Sequence, residues 1–266
     1  MSLKLTILGC GTSTGVPRVG PVWGACDPDN PKNFRSRCSV LVERSGAGGT
    51  TTVLVDTTPD LRRQLLDARA SWIDGVFYTH EHADHTHGID DLRGVFFNGR
   101  KRVKVYADER TGTLLRNRFS YCFVAPEGSP YPPILDPHVI KAGQRVDVEG
   151  AGGVITVEPF LQYHGSISSM GYRFGNIAYS PDIKGLPAES VAQLEGLDVW
   201  VLDGLRYEPH PSHYSVDEAL AEIDRIKPKR AVLTHMTIEL DYEALKSQLP
   251  DNVEPAYDGM VVEVDG

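Results

Sequence analysis

The chain has 266 residues, which is enough to bury a full hydrophobic core as one large domain or as two fused halves. Charged residues make up 24% and hydrophobic residues 41% of the sequence, as in ordinary globular proteins. The formal net charge of −9 argues against broad, non-specific binding to nucleic acid or to membranes. No apolar run approaches the roughly 18 residues of a membrane-spanning helix.

The first segment predicts a strand rather than a targeting signal. Leu3 to Leu8 alternate in hydrophobicity, and the apolar stretch is too short for a signal peptide. The cysteines show neither a C-x-x-C pair nor a dense framework, so we expect reduced thiols and a cytoplasmic location. These cysteines are Cys10, Cys26, Cys38 and Cys122.

The loop after this strand, residues 9–17, is rich in Gly, Ser and Thr. Such a loop can offer backbone N–H groups to an anion, but without a Lys and a following helix it is not a P-loop. A tight turn that needs the backbone freedom of glycine is at least as good an interpretation. A second strand begins within residues 35–42, where Arg35 and Arg37 are candidates for facing an anionic substrate. A solvated pair at the start of a strand is the alternative.

A strand over residues 51–56 ends in Asp56. The Thr-Pro-Asp sequence of residues 58–60 then predicts the N-cap, first position and acidic first turn of a helix, which continues over residues 61–68. By itself, Asp56 is an acid in a loop that leads into a helix.

The apolar run Val76-Phe77-Tyr78 predicts the end of a buried strand, and a segment rich in metal-ligand residues follows it directly. The spacing is His-x-His-x-Asp-His, and imidazole nitrogen and carboxylate oxygen are ligands that borderline divalent cations prefer. On extended chain, His80 and His82 point the same way and can hold one ion. Asp84 and His85 can hold a second ion nearby. A solvated polar loop is the weaker interpretation, because this many ligand-type residues rarely follow a strand so closely.

Between this motif and the second half of the chain, the sequence predicts a short helix over residues 89–93, a strand over 103–106 and a helix over 108–119. Residues 120–138 are rich in aromatic residues and proline. They form either a lid over the site or a packed surface loop.

The second half repeats the order of strand and ligand-type residue. The predicted strands cover residues 154–160, 172–174, 176–179, 199–202, 230–234 and 260–264. His164, Asp182 and His235 follow strands of this set, and the strand over residues 199–202 runs into Asp203. A lone histidine at the end of a strand is usually an ordinary surface or core residue.

An amphipathic helix is predicted over residues 216–226, with Ser215 as N-cap and Glu218 completing a capping box. His213 precedes the N-terminus of this helix. The helix dipole disfavours the imidazolium form of His213, whereas a bound phosphate would favour it. A last helix is predicted over residues 241–249.

The motif that begins at His80 resembles the metal signature of the metallo-β-lactamase superfamily. The resemblance implies an α/β fold of the αββα type: one domain over residues 1–266 in which two mixed β-sheets pack face to face, with helices on both outer sides. The implied ligands are His80, His82 and His164 for a first divalent ion, Asp84, His85 and His235 for a second, and Asp182 as a bridge. Asp56 matches an aspartate that supports the site from behind, since an outer carboxylate can orient a ligand imidazole.

The sequence most closely resembles the PhnP-type cyclic phosphodiesterases, over nearly the whole chain. The matching segments are residues 8–12, 35–39, 79–88, 179–182 and 210–215. His213 looks like the histidine of the His-Ser/Thr element that superfamily phosphodiesterases, including ribonuclease Z, use to contact the scissile phosphate. The resemblance therefore implies catalytic roles for His213, as general acid, and for Asp84.

One feature departs from the PhnP-type pattern. Members with an additional structural zinc carry a cysteine cluster in the early loop and a histidine shortly after the last metal ligand. This chain has only Cys26 in that loop and Ile238 after His235. We expect no structural zinc, and the departure weakens the transfer of substrate identity.

The implied site would be positively charged. Two divalent ions, zinc or manganese, contribute +4, two carboxylates remove 2 and a bridging hydroxide removes 1, which leaves roughly +1. Such a site attracts anions. We expect hydrolysis of a small cyclic or nucleotide-like phosphodiester by a hydroxide that bridges the ions, with His213 as proton donor.

Three other functions fit the sequence less well. A ribonuclease Z-like tRNA 3′-processing nuclease would need a basic arm, and neither a Lys/Arg-rich insertion nor a positive charge balance is present. A thioester or lactam hydrolase of the same fold leaves His213 without a role. A catalytically silent binding module would tolerate the loss of a ligand, yet none is lost. The expected partner is a small phosphodiester or nucleotide-like substrate, without a membrane or an extended nucleic-acid surface. Both a monomer and a homodimer are compatible with the sequence.

Overall fold

The computed structural model describes residues 2–265. Within this range the strands are β1 (Ser2–Gly9), β2 (Ser39–Gly46), β3 (Gly49–Val55), β4 (Gly75–Phe77), β5 (Val103–Ala107), β6 (Leu135–Val139), β7 (Val146–Val148), β8 (Ile155–His164), β9 (Ile167–Phe174), β10 (Ile177–Ser180), β11 (Val199–Asp203), β12 (Arg230–Thr234), β13 (Val253–Pro255) and β14 (Val261–Asp265). The α-helices are α1 (Leu61–Asp67), α2 (Ala83–Thr86), α3 (Leu92–Gly99), α4 (Glu109–Arg118), α5 (Ser120–Phe123), α6 (Ala188–Gln193), α7 (Val216–Ile226) and α8 (Tyr242–Lys246). Short 3₁₀ turns cover Pro31–Asn33 and Ile89–Asp91.

These strands form two mixed sheets. One has the order β14-β1-β2-β3-β4-β5-β6, and the other has the order β13-β12-β11-β10-β9-β8-β7. In the first sheet β14, β1, β2 and β3 pair antiparallel, whereas β3 to β6 run parallel. In the second sheet β7 to β10 pair antiparallel, whereas β10 to β13 run parallel. Parallel strands place their carboxyl ends at one edge, which is where the loops of the site begin.

The main hydrophobic core lies between the two sheets. The ring of Phe77 on β4 meets the edge of Tyr172 on β9, with centroids 5.4 Å apart, and the Tyr172 hydroxyl donates to the carbonyl of Tyr78. Successive side chains on a strand face opposite sides of its sheet, so each strand contributes to two apolar layers. Leu5 therefore packs into the core between the sheets, whereas Leu54 packs into a second cluster beneath α1 and α3. The αββα architecture implied by the sequence resemblance is confirmed.

The longest described helix, α7, has the predicted bounds and cap. The Ser215 hydroxyl accepts from the N–H of Glu218, and the Glu218 carboxylate accepts from the N–H of Ser215. The helix predicted after residue 57 instead begins at Leu61 with Asp60 as N-cap, because the Thr58 hydroxyl accepts from the Asp60 N–H in a preceding turn. Among residues 2–265, no helix has the length and apolar character needed to cross a membrane.

The elements that escaped the sequence analysis are short or lie at an edge, and they include β6, β7, β13 and α6. Strand β6 contains Pro137, which removes a backbone donor and is tolerated at the edge of a sheet. Its neighbours Asp136 and His138 are partly or fully exposed, so the strand lacks the apolar alternation on which strand prediction depends.

Candidate metal centre

Four of the predicted ligands form a first cluster where β4, β8 and β10 end. They are His80, His82, His164 and Asp182, whose ligand atoms all lie within 4.8 Å of one another. Nε2 of His164 lies 3.4 Å from Nδ1 of His82 and 3.6 Å from Oδ2 of Asp182. Nε2 of His80 lies 3.8 Å from the same Asp182 oxygen. The structure thus brings together the implied ligands of the first ion.

The second cluster consists of Asp84, His85 and His235. Oδ2 of Asp84 lies 3.5 Å from Nε2 of His85 and 3.8 Å from Nε2 of His235. Asp182 also reaches this cluster, through its other oxygen: Oδ1 lies 3.0 Å from His85 Nε2 and 3.5 Å from His235 Nε2. One carboxylate oxygen of Asp182 faces each cluster, an arrangement in which one carboxylate can bind two ions.

The donor atoms fit divalent ions. Four ligands about 2.1 Å from a tetrahedral ion lie about 3.4 Å from one another, close to the separations in both clusters. Several of these buried atoms have no hydrogen-bond partner among the described residues: His80 Nε2, His85 Nε2, His235 Nε2 and Asp182 Oδ1. Although His85 Nε2 and Asp182 Oδ1 are only 3.0 Å apart, they are not aligned as a hydrogen bond. Leaving such groups unpaired costs about 1–3 kcal/mol each, so a shared ion is a physical reason for their convergence.

Asp56 lies directly behind this centre, as its position in the sequence suggested. Its Oδ2 accepts from Nδ1 of His85 over 2.7 Å, and both oxygens accept from Thr79, one from the backbone N–H and one from the hydroxyl. The Thr79 hydroxyl is also 2.9 Å from Nδ1 of His80. Asp56 therefore turns Nε2 of His85 towards the site. Burial raises the pKa of the Asp56 carboxyl, although the charge of His85 and these hydrogen bonds oppose the shift.

Two residues of the centre have backbone conformations that side chains other than glycine rarely adopt. Asp56 has φ 64° and His235 has φ 59°, each directly after a strand that ends at the site. Such conformations cost of order 1–3 kcal/mol and persist where the surrounding structure enforces them. Here the positive φ values accompany the turns that aim both side chains into one small volume.

His213 stands beside both clusters and is held by a buried carboxylate. Its Nδ1 lies 2.6 Å from Oδ2 of Asp203, and its Nε2 lies 3.8 Å from Oδ2 of Asp182. The carboxylate of Asp203 also accepts from the N–H of Ile183. Burial lowers the pKa of His213 and raises that of Asp203. Nε2 of His213 is thus free to exchange a proton on the pocket side.

Asp203 lies in the candidate site, and the sequence analysis gave it no role. The signal was present, because Asp203 ends the parallel strand β11 just as Asp182 follows β10 and Asp56 follows β3. The sequence could not show that the residue is fully buried and paired with His213 from a loop ten positions later.

The site opens into a cavity of about 580 Å³. The loop after β1 contributes the hydroxyl residues Thr12, Ser13 and Thr14 to its walls. The loop before α7 contributes His210 and Ser212. Nδ1 of His210 is 3.2 Å from the hydroxyl of Ser212, and the Ser212 carbonyl is 2.8 Å from Nδ1 of His164. The loop that carries His213 therefore also orients His164.

The structure corrects the expectation for Arg35. Its side chain is only 1% exposed, and its guanidinium donates to the carbonyls of Thr237 and Leu240 and to the side chain of Asn33. Arg35 connects the segment after His235 to the loop of residues 9–17 and does not face the cavity. The physical reason is the antiparallel pairing of Val16 with Arg35, which directs the side chain inwards.

Arg37, His87 and the segment 120–138 lie at or beyond the edge of the site. Arg37 is partly exposed and lies 2.9 Å from Asp60 through Nε, at a neighbouring cavity. His87 is exposed and meets the ring of Phe119 edge-on. Among the described residues, none of 120–138 lines the 580 Å³ cavity, so this segment is not a lid in the structure.

Comparison with known proteins supports the likeness that the motifs suggested. Residues 51–236 match the family described as "Beta-lactamase superfamily domain". A curated relative from Porphyromonas gingivalis (strain ATCC BAA-308 / W83), named octanoyltransferase, is 34% identical over 268 residues, which cover 99% of this chain and 52% of the relative. The chain thus spans about half the length of the curated relative that it matches.

Among solved structures, a diphosphatase from the PhnP family is similar to this chain at 36% identity, covering 99% of this chain and 98% of that one with a TM-score of 0.87. The Zn²⁺-bound PqqB of Methylobacterium extorquens is similar at 18% identity, covering 97% and 99% of the two chains with a TM-score of 0.74. At this lower identity the likeness concerns the fold alone.

Proposed function

This chain belongs to the metallo-β-lactamase superfamily of metal-dependent hydrolases, and on that premise we propose that it hydrolyses the phosphodiester bond of a small, nucleotide-like or cyclic substrate. The observation that carries the proposal is the position of His213. Its Nδ1 is fixed by Asp203 and its Nε2 faces the side where both ligand clusters open. A histidine that is held in this way and lies outside the two clusters is suited to protonating a leaving group.

The ligand set supports anion chemistry in an acidic protein. Two divalent ions, zinc or manganese, would be held by the two clusters and would supply Lewis acidity and a nucleophile at neutral pH. The chain contributes two carboxylates to the site, Asp84 and Asp182. Burial opposes ionisation of Asp84, but the neighbouring charge of His85 outweighs it and lowers the pKa of Asp84. Asp84 therefore stays ionised as a ligand, and the loaded centre favours a phosphate ester.

The protonation of His213 would follow the substrate. In the free protein, burial lowers the pKa of His213, so the ring is neutral near pH 7. A phosphate anion bound beside Nε2 favours the charged ring and raises that pKa. The proton is then present on Nε2 when an anionic substrate occupies the site, and it can pass to the departing oxygen. Asp203 keeps the other ring nitrogen paired throughout this transfer.

The cavity suits the proposed class of substrate. Its volume of about 580 Å³ falls in the range of roughly 300–1,000 Å³ that is usual for small-molecule sites. Hydroxyl groups from Thr12, Ser13, Thr14 and Thr237 line it, and hydroxyls can donate to phosphoryl oxygens. Leu205 and Ile238 add apolar surface for a ring or alkyl arm.

Hydrolysis of a diphosphate is the second candidate, and the diphosphatase of the PhnP family favours it. Each phosphorus atom in a substituted diphosphate carries one ester oxygen and one anhydride oxygen. Attack by the same nucleophile on this phosphorus therefore cleaves the anhydride bond. The leaving group is then a phosphate, which needs less protonation than an alkoxide. The name octanoyltransferase belongs to a relative about twice as long. A thioester reaction at this centre would release a thiolate, which needs little protonation and leaves His213 without a role as proton donor.

The proposal is tested with chelated protein reloaded with zinc or manganese. Bis(p-nitrophenyl) phosphate, p-nitrophenyl phosphate, a chromogenic lactam and a dinucleoside diphosphate would be compared at equal concentration. We expect restored cleavage of the diester, with the monoester and the lactam slower by at least about tenfold. Cleavage of the lactam without the diester would refute the proposal, and a preference for the diphosphate would establish the second candidate.

A further inference from the structure

We infer that two arginines of α4, Arg110 and Arg118, position His82 and so set the affinity of the first metal ion, although neither belongs to a ligand cluster. Both bind Glu81, the residue between the ligand candidates His80 and His82. The inference concerns the loading of the centre with metal, so it holds for any ester that the loaded centre hydrolyses.

His82 is the ligand candidate with the least support from other side chains. Of the seven implied ligands it alone is exposed. The other ligand histidines are held at the ring edge that faces away from the clusters: His85 by Asp56, His80 by the Thr79 hydroxyl and His164 by the Ser212 carbonyl, while His235 is buried against the ring of His213. His82 instead turns Nδ1 towards Nε2 of His164, and its own Nε2 has no hydrogen-bond partner among residues 2–265. Because an outer partner is what usually orients a ligand imidazole, the direction of His82 depends on its backbone.

Arg118 holds the backbone that leads into His82. Its Nη1 donates over 2.6 Å to the carbonyl of Glu81, which belongs to the peptide group that joins Glu81 to His82. On the other side, the carbonyl of His82 accepts from the N–H of His85 and from the hydroxyl of Thr86. A hydrogen bond from a charged donor is among the stronger ones in proteins. Arg118 thus completes the fixation of the two peptide groups that flank the Cα atom of His82.

The side chain of Glu81 provides a second attachment to α4. It is buried, and its Oε1 lies 2.7 Å from Nη2 of Arg110. Within the described part of the chain, Glu81 is not in any group of converging ligand atoms. A buried carboxylate without an ion needs a charged or hydrogen-bonding partner, and Arg110 supplies it. Glu81 therefore connects the ligand segment to the helix and does not bind metal itself.

Helix α4 is a firm support for these contacts. Asp108 caps its N-terminus, and Leu115 is buried in the cluster beneath α1 and α3. Phe119, directly after the helix, meets the ring of His87 edge-on with centroids 5.5 Å apart. The helix and the residue after it thus contact the ligand segment near both of its ends, at Glu81 and at His87.

Charge alone predicts the opposite effect of these arginines. Cations next to the clusters repel a divalent ion, so removal of a guanidinium should tighten metal binding if only its charge matters. Positioning predicts that removal weakens metal binding, because His82 then adopts orientations that do not reach the ion. The sign of the change in affinity therefore separates the two explanations.

The test measures zinc affinity by competition with a chromogenic chelator. It uses the His235→Ala background, in which we expect only the first ion to bind. Arg118→Met should weaken zinc binding by about tenfold, Arg118→Lys should weaken it less because a lysine can still donate to the carbonyl, and Arg110→Met should also weaken it. The matched control is Arg116→Met, which removes a cation of the same helix whose contacts are to Thr113 and Glu109; its zinc affinity should not fall.

A double-mutant cycle in the same background shows whether the effect passes through His82. Once His82→Ala has removed the ligand, we expect Arg118→Met to change zinc affinity by less than about twofold. Urea unfolding of the metal-free proteins identifies variants that do not fold, and Arg110→Met tests the same contact to Glu81 if Arg118→Met is one of them. Unchanged or tighter zinc binding in the folded arginine variants overturns the inference, as does an equal loss with and without His82.

Discussion

The ring of His213 lies parallel to that of His235, with centroids 4.7 Å apart and an interplanar angle of 9°. The two imidazoles nevertheless have different surroundings. His235 directs Nε2 at Asp84 and Asp182, within the second cluster, whereas His213 is paired through Nδ1 with Asp203. Asp182, His213 and His235 also form a third group whose ligand atoms lie within 4.8 Å of one another. We expect His213 to act as proton donor and not as a ligand, so its substitution should lower turnover and leave the metal content unchanged.

Replacement of His213 should impair proton transfer and leave metal binding intact. In His213→Ala we expect the metal content to match wild type, while turnover of diesters with alkoxide leaving groups falls by about 10²–10⁴. A p-nitrophenolate leaving group needs less protonation, so turnover of a p-nitrophenyl diester should fall less. The checks are metal analysis by mass spectrometry and kcat for both classes of diester. Equal losses for good and poor leaving groups would contradict proton donation by His213.

Asp203 should act as a positioning residue through His213. Asp203→Asn keeps the size of the side chain but removes the charged acceptor, so the preferred tautomer and orientation of His213 are lost. We expect kcat to fall by about 10–10², with KM nearly unchanged. The double variant Asp203→Asn/His213→Ala should be no slower than His213→Ala, because both changes affect one group. Asp198→Asn, at a partly exposed carboxylate that pairs with Lys229 away from the site, is the control. Additive losses in the double variant would exclude the positioning role.

The local parts of the centre could be predicted from the sequence, whereas its long-range pairings could not. His80, His82, Asp84 and His85 lie within six positions after an apolar strand, so their residue types and spacing identified them. His164, Asp182 and His235 were found by resemblance and by their places after strands. In the structure, the ligand atoms of all seven converge at the edge where parallel strands end.

Arg35 shows why the rest required the structure. Sequence reasoning placed both Arg35 and Arg37 near an anion from charge alone. Residues two apart face the same side of a regular extended chain, so nothing in the sequence separates the two arginines. The bridges from Val16 to Arg35 and from Gly11 to Arg37 fold this segment against the loop of residues 9–17. Burial between that loop and the segment after His235 makes Arg35 a structural cation, and no local pattern encodes that burial.

Metal stoichiometry should distinguish a bridging ligand from a ligand of one ion. Asp182 faces both clusters, so Asp182→Ala should lower the bound metal from about two ions per chain towards none. His235→Ala removes a ligand from the second cluster alone and should leave about one ion. Asp56→Ala should retain both ions but weaken their affinity by roughly 10–100-fold, since it loses only the support of His85. Mass spectrometry after dialysis against a weak chelator measures all three. Loss of a single ion in Asp182→Ala would contradict the bridging geometry.

Asp258 should make the stability of the protein depend on pH. Burial raises the pKa of this carboxyl from 3.8 to about 6, although hydrogen bonds from Ser36 and Cys10 oppose the shift. Between these values the native state binds more protons than the unfolded state, so the contribution of Asp258 to stability falls as pH rises, by up to about 3 kcal/mol. Asp258→Asn cannot ionise but loses the acceptor for the Ser36 N–H. We expect Asp258→Asn to destabilise the protein most near pH 4 and progressively less up to pH 7. Urea unfolding of chelated wild type and variant across this range gives the difference at each pH, and a difference that stays constant would rule out titration of Asp258.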